Sequence, residues 1–205
     1  MGWIPKALRS LSISPADIGT ILLTHLHLDH AAGLTNDAGA PLYPNAEIVV
    51  AQAEADYWLD EATASRAALD QKMWFDGACK AMAPYRDRTR TFVSGDVLPG
   101  ITAVPLPGHT PGHTGYRLDG GSRSLLVWGD IVHLPQVQAP EPEAGVVFDV
   151  DGAEAVHTRR RMLDVATTDR LLVAGMHTEF PGLGNVIRDG AGYRIVPELW
   201  TALQR

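Results

Sequence analysis

Four side chains of types that can bind metal ions fall within seven consecutive residues, Thr24-His25-Leu26-His27-Leu28-Asp29-His30. On an extended segment alternate side chains share a face, so His25 and His27 point the same way and can grip one ion. Leu26 and Leu28 then turn to the packed side, and Asp29 and His30 reach a neighbouring position as the chain enters a helix. Imidazole nitrogen and carboxylate oxygen are the donors that zinc and similar divalent ions accept, and a catalytic site keeps one coordination position open for water. A lone histidine is more often a packed or loop residue, but that reading does not account for three of the chain's eight histidines lying this close together.

Further donors stand downstream. His109 lies in the rigid turn Pro107-Gly108-His109-Thr110-Pro111-Gly112-His113, a good mount for a ligand although ambiguous by itself. Asp130 follows the apolar run Leu125-Leu126-Val127-Trp128 through Gly129, and His177 follows Leu171-Leu172-Val173-Ala174 through Gly175-Met176. An isolated Asp or His at a strand end commonly caps a turn. Several strand ends that deliver ligand types together favour a site instead. His133 either lines a substrate pocket or orients a ligand, and His157 reads as a surface or packing residue.

The elements that must position these residues can be read from pattern. Ser14-Pro15-Ala16-Asp17 is a helix start, with Ser14 accepting from a free amide and Pro15 at the first helical position. Ile21 to Thr24 and Glu47 to Ala51 read as strands, and 53–82, rich in Ala, Leu, Glu and Lys, as one or two helices. Ile101 to Leu106, Thr114 to Leu118 and Ser124 to Trp128 predict an antiparallel region, its last two strands joined by a turn at Asp119-Gly120-Gly121. Asp151 to Thr168 predicts an amphipathic helix with Arg159-Arg160-Arg161 on a solvated face, followed by a strand from Arg170 to Ala174. A turn over Arg188 to Tyr193 separates short strands, and a closing helix is expected from Pro197 to Gln204.

Composition narrows the function classes. With 205 residues, 45% of them hydrophobic, the chain can bury the core of a single domain, expected over 1–205. Its 17 basic and 24 acidic residues give a formal charge of −7, which disfavours a nucleic-acid backbone as partner. Cys79 is the only cysteine, so neither a disulfide framework nor a four-thiolate zinc module can form within the chain. No apolar stretch approaches the roughly 20 residues needed to span a bilayer. As written, with no signal-like start, the sequence predicts a cytoplasmic protein without a membrane partner.

The order His-x-His-x-Asp-His, then Gly-His-Thr-Pro-Gly-His, then Gly-Asp, then Gly-x-His resembles the metallo-β-lactamase superfamily from His25 to about Val196. The resemblance implies an α/β fold of the αβ/βα sandwich type. It also implies two divalent ions, zinc first, with manganese, iron or cobalt as alternatives. His25, His27 and His109 would hold one ion, Asp29, His30 and His177 the other, and Asp130 would bridge them. His113 is then not a ligand but the source of a supporting hydrogen bond. Two cations sharing a bridging water lower its pKa, which would make hydroxide available near neutral pH. Asp29 could orient that water and relay a proton, so Asp29 and Asp130 are the expected catalytic carboxylates.

Within the superfamily, Cys79 lies outside the motifs, which argues against antibiotic hydrolysis. The short acidic chain lacks the insertion and basic surface of the nucleases, and only a short tail follows His177, unlike glyoxalase II-type thioesterases. Gly129-Asp130-Ile131-Val132-His133 and the segment from Met176 to Gly184 are similar to the branch of methyl parathion hydrolase and N-acyl-homoserine lactonase. A small-molecule ester, lactone or phosphotriester is the substrate class this implies. Trp58, Trp74, Phe75 and Phe148 either line an apolar pocket or pack ordinarily. Family members place several strands before the first motif, whereas this chain reaches His25 almost at once. A truncated N-terminus, or replacement of those strands by a partner chain, is therefore expected, with self-association through exposed strand edges. Truncation would also leave export open. Two other classes compete: a mono-iron oxidoreductase resembling persulfide dioxygenases, and a non-catalytic metal-binding domain.

Overall fold

Ile48, Val49 and Val50 are fully buried in strand Glu47–Ala51, as expected of a strand covered on both faces. The structure, a computed structural model, describes residues 4–121 and 123–199, which group into two compact units, Met1–Val93 and Ser94–Arg205. Each is described by itself.

The first unit runs α1 (Ile4–Ser10), a 3-10 turn (Pro15–Asp17), β1 (Thr20–Leu22), α2 (Leu28–Ala31), β2 (Glu47–Ala51), α3 (Gln52–Trp58), α4 (Glu61–Arg66), α5 (Lys72–Met82) and β3 (Thr89–Phe92). Its sheet has the order β1-β2-β3, and both pairings are parallel. The 3-10 turn begins as its sequence predicts: Ser14 Oγ accepts from the Ala16 amide, and Asp17 accepts from the Ser14 amide at 2.8 Å. Phe75, Ala78, Ala81 and Met82 form the buried stripe of α5 and share a core with Leu23, Leu26, Ile48, Val50 and Trp58. Region 53–82 holds three helical pieces rather than one or two. Leu59 ends α3, and the Asp60 carboxylate caps α4 by accepting from the Thr63 amide, so the chain restarts there.

The second unit contributes β4 (Gly95–Leu98), β5 (Ile101–Pro105), β6 (Thr114–Asp119), β7 (Ser124–Gly129), α6 (Pro135–Gln138), α7 (Gly152–Thr168), β8 (Leu172–Gly175), β9 (Leu183–Asp189) and β10 (Gly192–Pro197). Its seven-stranded sheet has the order β10-β9-β8-β7-β6-β5-β4. All neighbours are antiparallel except β7 and β8, and parallel strands need a crossover connection, which here contains α7. Asp151 caps α7 through the Glu154 amide at 3.0 Å. Met162, Leu163 and Ala166 of α7 share a core with Leu106, Leu126, Trp128 and Val173.

Two departures concern α7 and the C-terminus. Arg159 is not on a solvated face: it is 1% exposed, whereas Arg160 and Arg161 are exposed. Pro197 ends β10 instead of opening a helix, and the rest of that predicted helix, from residue 200, lies outside the described residues. Among the described residues no helix is long and apolar enough to cross a membrane.

Candidate metal centre

In the first unit the chain leaves the sheet just before its histidines. The Leu23 amide still donates to Val49 O at 3.0 Å, and beyond it Thr24 to His27 lies outside regular structure. His25 is fully buried, with Nδ1 3.0 Å from Thr24 Oγ1. Leu26 fills the core as predicted, and its amide donates at 2.8 Å to the carboxylate of Glu54, itself fully buried on α3. His27 precedes α2, and its carbonyl accepts from the His30 and Ala31 amides. The ring centroids of His25 and His27 are 4.9 Å apart, those of His25 and His30 4.0 Å. Asp29 is half exposed, 3.5 Å from His30 Nε2. The four residues predicted from the first motif thus form one local group.

Trp58 and Trp74 both lie with ring centroids 5.2 Å from that of His27. Trp58 and Phe75 are buried packing residues, Trp74 is half-buried, and Phe148 of the second unit is 53% exposed.

In the second unit strand register sets the geometry. β7 and β8 run parallel with Gly129 opposite Gly175, so their C-terminal ends deliver Asp130 and His177 side by side. Gly129 has φ 56°, a left-handed conformation that glycine adopts without strain as the chain turns off β7. His177 Nε2 comes within 3.0 Å of Asp130 Oδ2. His133 Nε2 lies 3.2 Å and His109 Nε2 3.5 Å from the same oxygen. His109, Asp130 and His133 also offer one ligand atom each within 4.8 Å of one another.

His113 supports this group, as predicted. The Asp130 amide can only donate, so His113 Nε2 accepts from it at 3.0 Å, and the Nδ1 proton points to Leu106 O at 2.9 Å. His133 stacks on His177 with centroids 4.7 Å apart and planes 20° from parallel. Imidazole nitrogens turned toward one buried carboxylate oxygen are a donor set that fits a divalent cation.

Sequence reasoning missed three residues. Glu54 supports the first motif, and Asp149 Oδ1 lies 2.8 Å from His109 Nδ1. Burial raises the Asp149 carboxyl, but the bond from His109, the Val146 amide and the Arg159 charge outweigh it and hold the group below its ordinary value. Arg159 Nη2 stands 3.7 Å from Asp149 Oδ2. A lone acid within the apolar run Val146-Val147-Phe148-Asp149-Val150 was the available signal for Asp149. His157 is exposed on α7, and Cys79 lies on α5, outside the metal motifs.

Among known proteins, "Probable metallo-hydrolase" chains of Mycobacterium tuberculosis and Mycobacterium bovis are each 29% identical over 131 residues, 61% of this chain. The matched stretch is 40% of the length of those relatives. A solved structure described as hydrolase AbOPH in the beta lactamase superfamily is 33% identical, with a TM-score of 0.91 over 98% of this chain and 72% of its own. AidC, described as a dizinc quorum-quenching lactonase, shares the fold with a TM-score of 0.90 at 23% identity, covering 98% of this chain and 71% of its own. Histidines and aspartates at the ends of α/β strands, a fold matched at this level, and agreement of residues 1–177 with the family pattern lead to one assignment: the chain belongs to the metallo-beta-lactamase superfamily.

Proposed function

We propose that the two units act as one catalytic domain, in which His25, His27, Asp29 and His30 join His109, Asp130 and His177 to hold two divalent ions, zinc first among them. The reaction is hydrolysis of a small ester, lactone or phosphotriester. One observation carries the reading: three imidazole nitrogens lie within 3.5 Å of a single oxygen of Asp130, a carboxylate only 2% exposed. AidC, described as a dizinc lactonase, lends support to the lactone class and the ion count, and AbOPH, described as a hydrolase, lends support to hydrolysis.

Bound ions would supply Lewis acidity and a water of lowered pKa. The chain's residues do the rest. Asp29, the half-exposed carboxylate of the group, can accept a proton from water and return one to a leaving oxygen. His133 holds the Asp130 carboxylate from 3.2 Å, and His113 fixes the backbone on which that carboxylate is mounted.

The test combines metal content with turnover. Purified protein should carry two zinc-like ions per chain and turn over at least one of p-nitrophenyl acetate, a homoserine lactone and a phosphotriester. Chelation should abolish turnover and added zinc restore it, while His109→Ala and Asp130→Ala should lose metal and turnover together. Full turnover by metal-stripped His109→Ala would refute the proposal. One iron per chain with sulfur oxidation would replace it by the oxidoreductase reading, and metal binding without turnover by the non-catalytic one.

A further inference from the structure

Arg159 is a charged side chain that the proposed chemistry does not use, on the buried face of a helix whose neighbouring arginines are solvated. Its Nε donates to Ile131 O at 2.8 Å, and Ile131 directly follows Asp130. Its Nη1 donates to Pro142 O at 2.9 Å and Ala144 O at 3.0 Å, on the segment that leads to Asp149. Its Nη2 faces the Asp149 carboxylate. Asp149 in turn meets His109 Nδ1, and the same segment is stitched to the His109 turn by Val150 N to His109 O at 3.0 Å and Asp151 N to Gly108 O at 2.9 Å. The planar guanidinium presents donors in several fixed directions, which an ammonium cannot do.

We infer that Arg159 and Asp149 form a positioning pair for the metal centre, with Asp149 fixing the ring of His109 and Arg159 holding both Asp149 and the backbone beyond Asp130. This rests on the reading of His109 and Asp130 as metal ligands. A carboxylate on Nδ1 keeps the proton there, leaves the Nε2 lone pair free toward the ion and makes the imidazole a stronger donor. Asp149 and Arg159 are both 1% exposed, so water cannot readily take over either role. The pair acts through His109 and Asp130 and has no contact with substrate to make.

The competing explanation is that Arg159 anchors a loop and does nothing to the ions. Cobalt binding separates the two. Chelator-stripped wild type, Asp149→Asn, Asp149→Ala, Arg159→Lys and Arg159→Met would be titrated with Co2+ against a chromophoric chelator, and the visible d–d spectrum recorded. Circular dichroism would verify folding at the temperature used. Asp149→Ala should bind cobalt about 10- to 100-fold more weakly, as loss of a ligand's orienting partner does. Asp149→Asn, which keeps an acceptor without the charge, should fall between it and wild type with a displaced spectrum. Arg159→Lys should recover part of the affinity lost in Arg159→Met. Folded Asp149→Asn and Asp149→Ala with wild-type affinity and spectrum would overturn the positioning role while leaving the metal centre intact. If wild type bound no cobalt, or His109→Ala bound it as wild type does, the ligand reading would fail and take the pair with it.

Discussion

Replacing Arg159 by Met should destabilise the protein far more than any change at its two neighbours in the arginine run. The substitution retains an apolar stem of similar length but removes the charge facing Asp149 and the donors to Ile131 O, Pro142 O and Ala144 O. Ala144 O keeps a partner, because Gln138 Nε2 donates to it at 2.9 Å. Breaking a buried pair from one side costs about 3–5 kcal/mol, and a carbonyl left dry costs about 1–3 kcal/mol more. Part of this is regained, since burying the guanidinium is itself unfavourable: burial lowers the Arg159 pKa against the opposing charges of Asp149 and Glu143. A net loss of about 4 kcal/mol follows, a large share of the roughly 5–15 kcal/mol that holds a domain folded. Arg160, whose pair with Glu143 is more than half exposed on both sides, should change stability by less than about 1 kcal/mol as Arg160→Ala. Urea denaturation of metal-free protein, followed by circular dichroism, measures both. The double variant Arg159→Met/Asp149→Asn should recover about 1–3 kcal/mol relative to the sum of the singles. Arg159→Met within 1 kcal/mol of wild type, or strict additivity in the double variant, would refute the account of a buried coupled pair.

Gly108 has φ +123°, and a Cβ there would sit 2.2 Å from the amide nitrogen of Ala155 on α7, so Gly108→Ala should cost about 3–5 kcal/mol and weaken metal loading. A thermal melt unchanged from wild type would contradict this. Glu54→Ala, which removes the acceptor of the Leu26 amide, should lose about 2 kcal/mol in denaturant titration, and Glu54→Gln, which keeps an acceptor, distinctly less. Equal losses would show that Glu54 acts by something other than that bond. Partial desolvation, with a smaller contribution from Asp76, raises the thiol of Cys79 above its ordinary value although the residue is exposed, so its thiolate forms at higher pH than that of an ordinary thiol. Thiol reagents should therefore label it slowly at pH 7 and faster in alkali, and Cys79→Ser should keep its metal; fast labelling at neutral pH or loss of metal would contradict the assignment.

What could be read from the sequence was whatever the backbone period or a shared chemical demand imposes. β2 has the bounds its apolar run predicts, and Asp151 caps α7 where the helix was expected to begin. β3, with the sequence Thr-Arg-Thr-Phe, escaped because an edge strand left half-buried along its length shows no apolar alternation. β4 begins with the exposed residues Gly95 and Asp96, which read as a turn. The arginine run misled for a different reason. Successive helical residues point about 100° apart, so three adjacent arginines cannot share one face. Ala155, Thr158, Arg159, Met162, Leu163 and Ala166 follow the buried spacing of α7, and that pattern was available without coordinates.

The motif histidines were legible because a ligand atom must come from one of very few residue types, whereas the group that steadies a ligand need only accept or donate a hydrogen bond. Three histidines here use three different partners on Nδ1: a hydroxyl of Thr24 for His25, a carboxylate of Asp149 for His109, and a backbone carbonyl of Leu106 for His113. No residue pattern could unite them, yet they are not equivalent. A charged acceptor makes its imidazole more electron-rich than a neutral one does, so Nε2 of His109 should be a stronger donor than Nε2 of His25. The asymmetry places the charged orienting contact on His109, one of the three imidazoles that converge on Asp130. Strand register in the second unit sets Asp130 beside His177, and one carboxylate–guanidinium pair carried by α7 and the segment before it determines which way His109 faces.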